Sequence, residues 1–252
     1  MIAIISPAKT LDFETKAQVE KVSRPYFEEK ANKLSEILSQ FSIEELQDLM
    51  HISYELAELN YSRFKLWNNK PHDSNTKQAL LAFTGEVFRG INAYSFNADD
   101  FEFAQKHVRI LSGLYGILRP FDGIQAYRLE MGTKLKHKNF DDLYSFWGNE
   151  ITQQINKEHS KGDYVINLAS NEYFKSINKK ILKGTVITPI FKDFNKGELK
   201  VVTVYAKNAR GQMIQYMVKN KITEPEQLKL FDSNGYEYSH NHSDRWNWVF
   251  VR

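Results

Sequence analysis

Cysteine is absent from the 252 residues. Its absence excludes disulfides, thiolate catalysis, iron–sulfur clusters held by Cys and Cys-ligated zinc. A redox sensor built on a thiol is excluded as well. No run approaches about 18 uncharged apolar residues, so no membrane span is expected. The apolar stretch in MIAIISPAKT is too short for the core of a signal peptide, and no Lys or Arg precedes it, so a soluble cytoplasmic protein is expected. Charge of one sign is lacking overall: Lys plus Arg is 34 and Asp plus Glu is 31, a net of +3. There is no G-x-G-x-x-G after a strand, no Walker A sequence and no G-x-S-x-G elbow, which removes the commonest nucleotide-binding and hydrolase signatures. The seven histidines are scattered, apart from His240 and His242 around Asn241, where a polar turn reads as solvated loop. No metal and no cofactor are expected.

What is present is an ordinary globular balance, with 42% apolar, 26% charged and 13% aromatic residues. The length suits one large domain, and no repeat, low-complexity tract or linker divides residues 1–252. Charge is unevenly placed. From Lys175 to Lys221 eleven cations face only Asp193 and Glu198, a net of +9, which leaves the rest of the chain at −6. That segment is either a solvated lysine-rich surface or a basic face that attracts phosphates.

Met1 to Ile5 reads as a buried strand, and the apolar spacing of Tyr26 to Phe41 as an amphipathic helix. Ser42 with Glu45 predicts a capping box opening the next helix, and His51 to Trp67 again has helical spacing. Residues 68–76 predict a polar loop. Asn97 predicts a helix start with Asp99 and Asp100 in the first turn. Val108 to Leu111, Tyr164 to Leu168, Thr185 to Phe191 and Leu199 to Tyr205 read as strands. Phe140 to Lys157 and Gln212 to Asn220 read as helices, and Thr223 with Pro225 opens a short one. Tyr236 to Tyr238 and Trp246 to Val251 predict a closing hairpin. Interleaved strands and helices point to an α/β or mixed α+β fold: a central mixed sheet flanked by helices.

Four apolar runs end in polar or glycine-bearing clusters: IAIISPAKT, VRILSGLYG, YVINLASNEYF and VVTVYAKNARG. The carboxyl ends of parallel strands form the crevice where ligands bind. Strands pointing one way would let Ser6, Lys9, Ser112, Tyr115, Asn167, Ser170, Lys207 and Arg210 converge. Otherwise each cluster is a strand-to-loop turn. LSGLYGILRPFDGIQAYRLEM is the densest segment. Gly113 and Gly116 permit close backbone approach or left-handed conformations. Arg119 and Arg128 suit phosphate or carboxylate, and Tyr115 and Tyr127 could stack on bases. Glu130 is either an acid/base group or the partner that neutralises Arg128. The two are two apart in YRLE, so an extended segment puts them on one face.

SPAKTLDF, SGLYGILRPFDGIQAYRLEMG, DLYSFWG, VINLASNEYFKS and YAKNARGQM resemble the YaaA family, in the same order from Ile4 to about Tyr236. The tail beyond Tyr236, with His240 and His242, lies outside that pattern. The resemblance implies a single compact α/β fold with a positively charged cleft. It implies DNA binding with a helix-hairpin-helix-like element, and protection from hydrogen peroxide associated with lower free intracellular iron. Without cysteine or an evident iron site, such protection would be indirect, through DNA where peroxide and iron do damage. The expected partner is duplex DNA with weak sequence preference, bound by a monomer through Lys9, Ser112, Tyr115, Arg119, Arg128, Asn167, Ser170, Lys207 and Arg210. The alternative is an enzyme acting on a nucleotide or damaged nucleobase, with Glu130 as acid or base. A shallow basic groove favours binding, and a deep pocket holding Glu130 away from water favours catalysis. The helix-hairpin-helix element has two placements. Ser42 to Trp67 has the helices but no glycine, and Gly85 to Gly90 has glycines and Arg89; an ordinary helical hairpin packed on the sheet is the third reading.

Overall fold

The computed structural model describes residues 1–69, 75–158, 162–195 and 197–252. Most of the polar loop expected at 68–76 lies outside them. The strands are β1 (Ile2–Ile5), β2 (Thr10–Leu11), β3 (Lys77–Gln78), β4 (Phe83–Thr84), β5 (Val108–Ser112), β6 (Gly116–Leu118), β7 (Gly123–Ile124), β8 (Tyr164–Leu168), β9 (Thr185–Asn195), β10 (Glu198–Lys200), β11 (Glu237–Tyr238) and β12 (Asn247–Val251). The helices are α1 (Glu28–Leu38), α2 (Ile43–Met50), α3 (Tyr54–Lys65), α4 (Ala79–Ala82), α5 (Glu86–Ile91), α6 (Ala98–His107), α7 (Leu143–Trp147), α8 (Glu150–Glu158), α9 (Asn171–Phe174) and α10 (Thr203–Lys219). Pro225–Leu230 forms a short 3-10 helix with proline in its first turn.

The mixed eight-stranded sheet runs in the order β11-β12-β9-β8-β1-β5-β6, with β10 paired to β9. β12, β9, β8, β1 and β5 are mutually parallel, while β6, β10 and β11 pair antiparallel. All four residues of β1 are buried, as befits the unbroken apolar run of a strand covered on both faces. The expected closing hairpin forms between β11 and β12, and β12 also joins β9 in parallel.

Several local signals act as expected. Ser42 with Glu45 and Asn97 with Asp100 form complete capping boxes. Asp142 caps α7, and Gly148, at φ 49, breaks the helix expected over Phe140 to Lys157 into α7 and α8. One reading is overturned. VVTVYAKNARG is not a strand ending in a polar cluster: Thr203 to Lys219 is one continuous helix. Its β-branched start favours a strand by propensity, but packing decides. Where α10 crosses α5, a Cβ on Gly211 would lie 1.9 Å from the Val87 carbonyl oxygen, and one on Gly90 2.2 Å from that of Asn208. Two glycines let the backbones touch, and the helix is set by that contact.

The same contact gives Gly90 of GEVFRG a packing role, since a side chain there would meet α10. The Ser42 to Trp67 segment is a helical hairpin, α2 and α3, turned at His51 in the left-handed conformation that often takes glycine.

Candidate functional site

At the carboxyl ends of β1 and β8 the chain leaves a cleft of about 470 Å³. Its walls come from five stretches far apart in sequence: residues 6–10, 84–88, 127–130, 168–173 and the α10 residues Lys207 and Arg210. The floor is made where β1 and β8 end side by side. The Ser170 N–H donates to Ser6 Oγ at 2.8 Å, and the two hydroxyls lie 3.2 Å apart. Pro7, Ala8, Val87, Phe88, Leu129 and Leu168 give the cleft an apolar interior, with the rings of Tyr127 and Tyr173.

Four cations and three carboxylates line it: Lys9, Arg128, Lys207 and Arg210 against Glu86, Glu130 and Glu172. Their pairing is uneven. Glu130 is shared, with Lys9 Nζ at 2.7 Å and Arg128 Nη2 at 3.1 Å. Glu86 is held by Arg89 at 2.6 Å, and Glu172 accepts the Gly132 N–H at 2.8 Å. Among the described residues no carboxylate pairs with Lys207 or Arg210. Burial, with no compensating anion, pushes the Arg210 guanidinium below its usual value. Arg128 also buries its Nε without a hydrogen-bond partner. The cleft is therefore short of anions on its α10 side.

Of the residues expected to converge, the structure brings Ser6, Lys9, Arg128, Glu130, Ser170, Lys207 and Arg210 to this lining. Lys207 and Arg210 arrive from the first turns of a helix, not from a strand end. Four others lie elsewhere. Ser112 is fully buried and supports the wall from behind: its Oγ is 2.6 Å from the Tyr127 hydroxyl and accepts the Tyr115 N–H at 2.9 Å. Tyr115 is buried against Tyr127 and Trp67, and its hydroxyl accepts the Gln125 N–H. Burial drives both phenols well above their normal range. Asn167 shapes the turn after β8 by accepting the Ala169 N–H at 3.1 Å.

Arg119 is the clearest correction. Its Nε and Nη2 donate to Asp122 Oδ1 at 3.0 and 2.8 Å, its backbone N–H to Oδ2 at 2.7 Å, and its guanidinium lies over Tyr26. Burial works against its charge, but Asp122 more than offsets that and raises its pKa. Gly113 also serves the chain rather than a ligand. A Cβ there would lie 2.3 Å from the Leu129 carbonyl oxygen, so the close approach is to the segment ahead of Glu130. Sequence reasoning missed Glu86 and Glu172 as lining groups. Glu172 stands in the strand-end cluster NEYF, beside Ser170, and that position is the signal that could have found it. Glu86 follows a positive-φ glycine, Gly85, with no strand before it long enough to mark the site.

Among the described residues, no group of three His, Asp or Glu could hold a metal ion, and no helix is long and apolar enough to cross a membrane.

The family described as peroxide stress protein YaaA matches residues 1–242. A protein named UPF0246 protein from Colwellia psychrerythraea is 48% identical over 254 aligned residues, covering 100% of this chain and 99% of the relative. Counterparts of the same name from Saccharophagus degradans and Ralstonia pickettii are 48% and 45% identical, again over 100% of this chain and 99% of each relative. The chain belongs to the peroxide stress protein YaaA family.

Proposed function

We propose, from membership in this peroxide stress family, that the chain protects DNA by binding it through phosphate contacts at the cleft. The observation that carries this reading is the unequal pairing of the lining cations. Lys207 and Arg210 stand one helical turn apart on α10 without a carboxylate. Arg210, desolvated and without a carboxylate among the described residues, gains most from an incoming anion, its fork suits phosphate oxygens, and the exposed Lys207 adds a second charge beside it. Lys9 and Arg128 line the same cleft and share a single carboxylate. Contacts of this kind read phosphate, not base sequence.

The reading does not extend to the α2–α3 hairpin. Residues 42–67 carry Glu44, Glu45, Asp48, Glu55 and Glu58 against Arg63 and Lys65, a charge that repels phosphate.

The test is a titration of a short labelled duplex across salt concentration. Log affinity should fall linearly with log salt. Lys207→Ala combined with Arg210→Ala should reduce the slope by about 1.8, at about 0.9 for each phosphate no longer neutralised. Binding indifferent to salt, or a double variant with the parent slope, overturns the reading.

A second reading, an enzyme acting on a nucleotide or damaged nucleobase, is favoured by the cleft's size. About 470 Å³ suits one nucleotide inside the cleft, whereas a duplex would meet only the cations at its mouth. An enzyme of that kind would take its base extruded from the stack. Against it stands Glu130, which is 23% exposed and tied to two cations, and so is not a carboxyl held away from water.

A further inference from the structure

Away from the cleft lining lies a second cationic surface, built from the segment after α9 and the loop before β12. Lys175, Lys179, Lys180 and Lys183 are all exposed there, and among the described residues none of the four has a carboxylate partner. Other lysines, among them Lys9, Lys21, Lys30 and Lys77, sit against Asp or Glu, and among the described residues others such as Lys16 and Lys106 do not; what marks these four is that they fall within nine residues of one another.

Two shallow depressions meet on this surface. One, of about 470 Å³, is lined by Tyr144, Gly148, Asn149, residues 175–178, Lys179 and Lys180, with no acidic residue. The other, of about 340 Å³, is lined by Lys179, Thr185, Val186, Thr188, Trp246 and Asn247, again with no acidic residue. Lys179 belongs to both and joins them. The ammonium of Lys175 lies 4.8 Å from the centre of the Tyr144 ring, and that of Lys179 5.3 Å from the Phe174 ring. Those contacts restrict two side chains that would otherwise be free.

At the far end, Trp246 is 41% exposed, with the Arg245 guanidinium 4.4 Å from the centre of its ring. The chain's other tryptophans are better covered, and Trp147 and Trp248 are almost fully buried. The nearest acid in the loop, Asp244, already accepts the N–H groups of Trp246 and Asn247 and the Asn247 side-chain amide, so it anchors the turn.

An unpaired run of cations ending on an exposed indole matches one polymer better than others. We propose that this surface is a track for single-stranded nucleic acid, in which Lys175, Lys179, Lys180 and Arg245 follow the phosphates and Trp246 stacks on a base. Cations alone would suit any polyanion. The aromatic platform selects a strand whose bases are free to leave the stack. The track shares its partner class with the cleft reading but uses different residues, so each stands or falls separately. It also lies in part beyond residue 242, where the family match ends.

The experiment follows fluorescence anisotropy of a labelled 12-nucleotide oligo-dT, and of a duplex of equal length, on the full chain. Trp246→Ala should weaken oligo-dT binding by about fivefold to a hundredfold, the range for loss of one base–aromatic stack, and weaken duplex binding far less. Lys179→Ala with Lys180→Ala should lower the oligo-dT salt slope by about 1.4. All three residues are exposed, and unchanged circular dichroism melts would confirm that the variants fold. Lys207→Ala with Arg210→Ala is the separate arm: the track requires oligo-dT binding to persist in it, whatever happens to the duplex. Oligo-dT affinity unchanged by Trp246→Ala overturns the proposal. So does an equal loss on duplex and single strand, which would mark a surface that reads charge alone.

Discussion

Arg119 and Arg210 are the same residue type in two regions that the sequence does not tell apart, and the structure treats them in opposite ways. Arg119 closes the turn after β6. Asp122, fully buried, accepts its backbone and side-chain N–H groups, and the Ser23 hydroxyl donates to the same carboxylate at 2.6 Å. Its Nη2 also donates to the Arg24 carbonyl oxygen at 2.7 Å, which ties the turn to the approach of α1. Arg210 has none of this. It is partly buried on α10, and among the described residues no anion pairs with it. A cation whose hydrogen bonds are satisfied internally holds the chain, and one that is desolvated and unsatisfied is available to a ligand.

The comparison is tested most severely at the satisfied end. Asp122→Ala should destabilise the protein by about 3–5 kcal/mol, because a partly buried guanidinium loses its counter-ion. For a chain of this size that corresponds to a fall in Tm of roughly 6–20 °C, read by calorimetry. A melt within a degree of the parent would show that Arg119 is no more structural than Arg210.

The unsatisfied end depends on where α10 lies. Gly211→Ala places a methyl against the Val87 carbonyl and must push α10 from α5. Overpacking of this kind costs about 1–3 kcal/mol. It should also lower DNA affinity, since Lys207 and Arg210 move with the helix. Stability lost with affinity intact would separate the helix crossing from the site.

Glu130 lies between the extremes, partly exposed and shared by two cations, so it sharpens the comparison with the smallest effect. Glu130→Gln should cost about 1 kcal/mol or less in urea denaturation, and should strengthen duplex binding slightly by freeing Lys9 and Arg128. A larger stability loss would place Glu130 with Asp122 as a brace. Loss of a nucleotide-processing activity with DNA affinity kept would favour the enzyme reading.

How far the site could be read from sequence follows from the same physics. Capping boxes at Ser42 and Asn97 and the all-apolar β1 are local signals, and they act locally. The pairing of Arg128 with Glu130 is legible because spacing of two in an extended chain fixes one face. The helical state of Thr203 to Tyr205 is not legible. A row of β-branched and aromatic residues from Val201 to Tyr205 argues for a strand, and the glycine pair that overrules it, Gly90 with Gly211, is far apart in sequence. The burial of Ser112, Tyr115 and Asn167 is equally hidden. A polar residue at a strand end can face the crevice or turn back to pair the backbone, and only the neighbours decide.

The place of β1 also has a kinetic meaning. It lies between β5 and β8, yet more than 100 residues separate Ile5 from its first partner strand, which begins at Val108. At about 5–20 residues per second, a ribosome needs roughly 5–20 s to supply that partner. Through that interval an uncharged Ile-Ala-Ile-Ile segment waits with both edges open, the kind of exposed strand that recruits its own copies. The residues 6–10 that follow it line the cleft, so the cleft cannot be assembled piecemeal: its walls meet only once the longest loops have closed, and holdase chaperones should be most needed while α1 to α6 are being made.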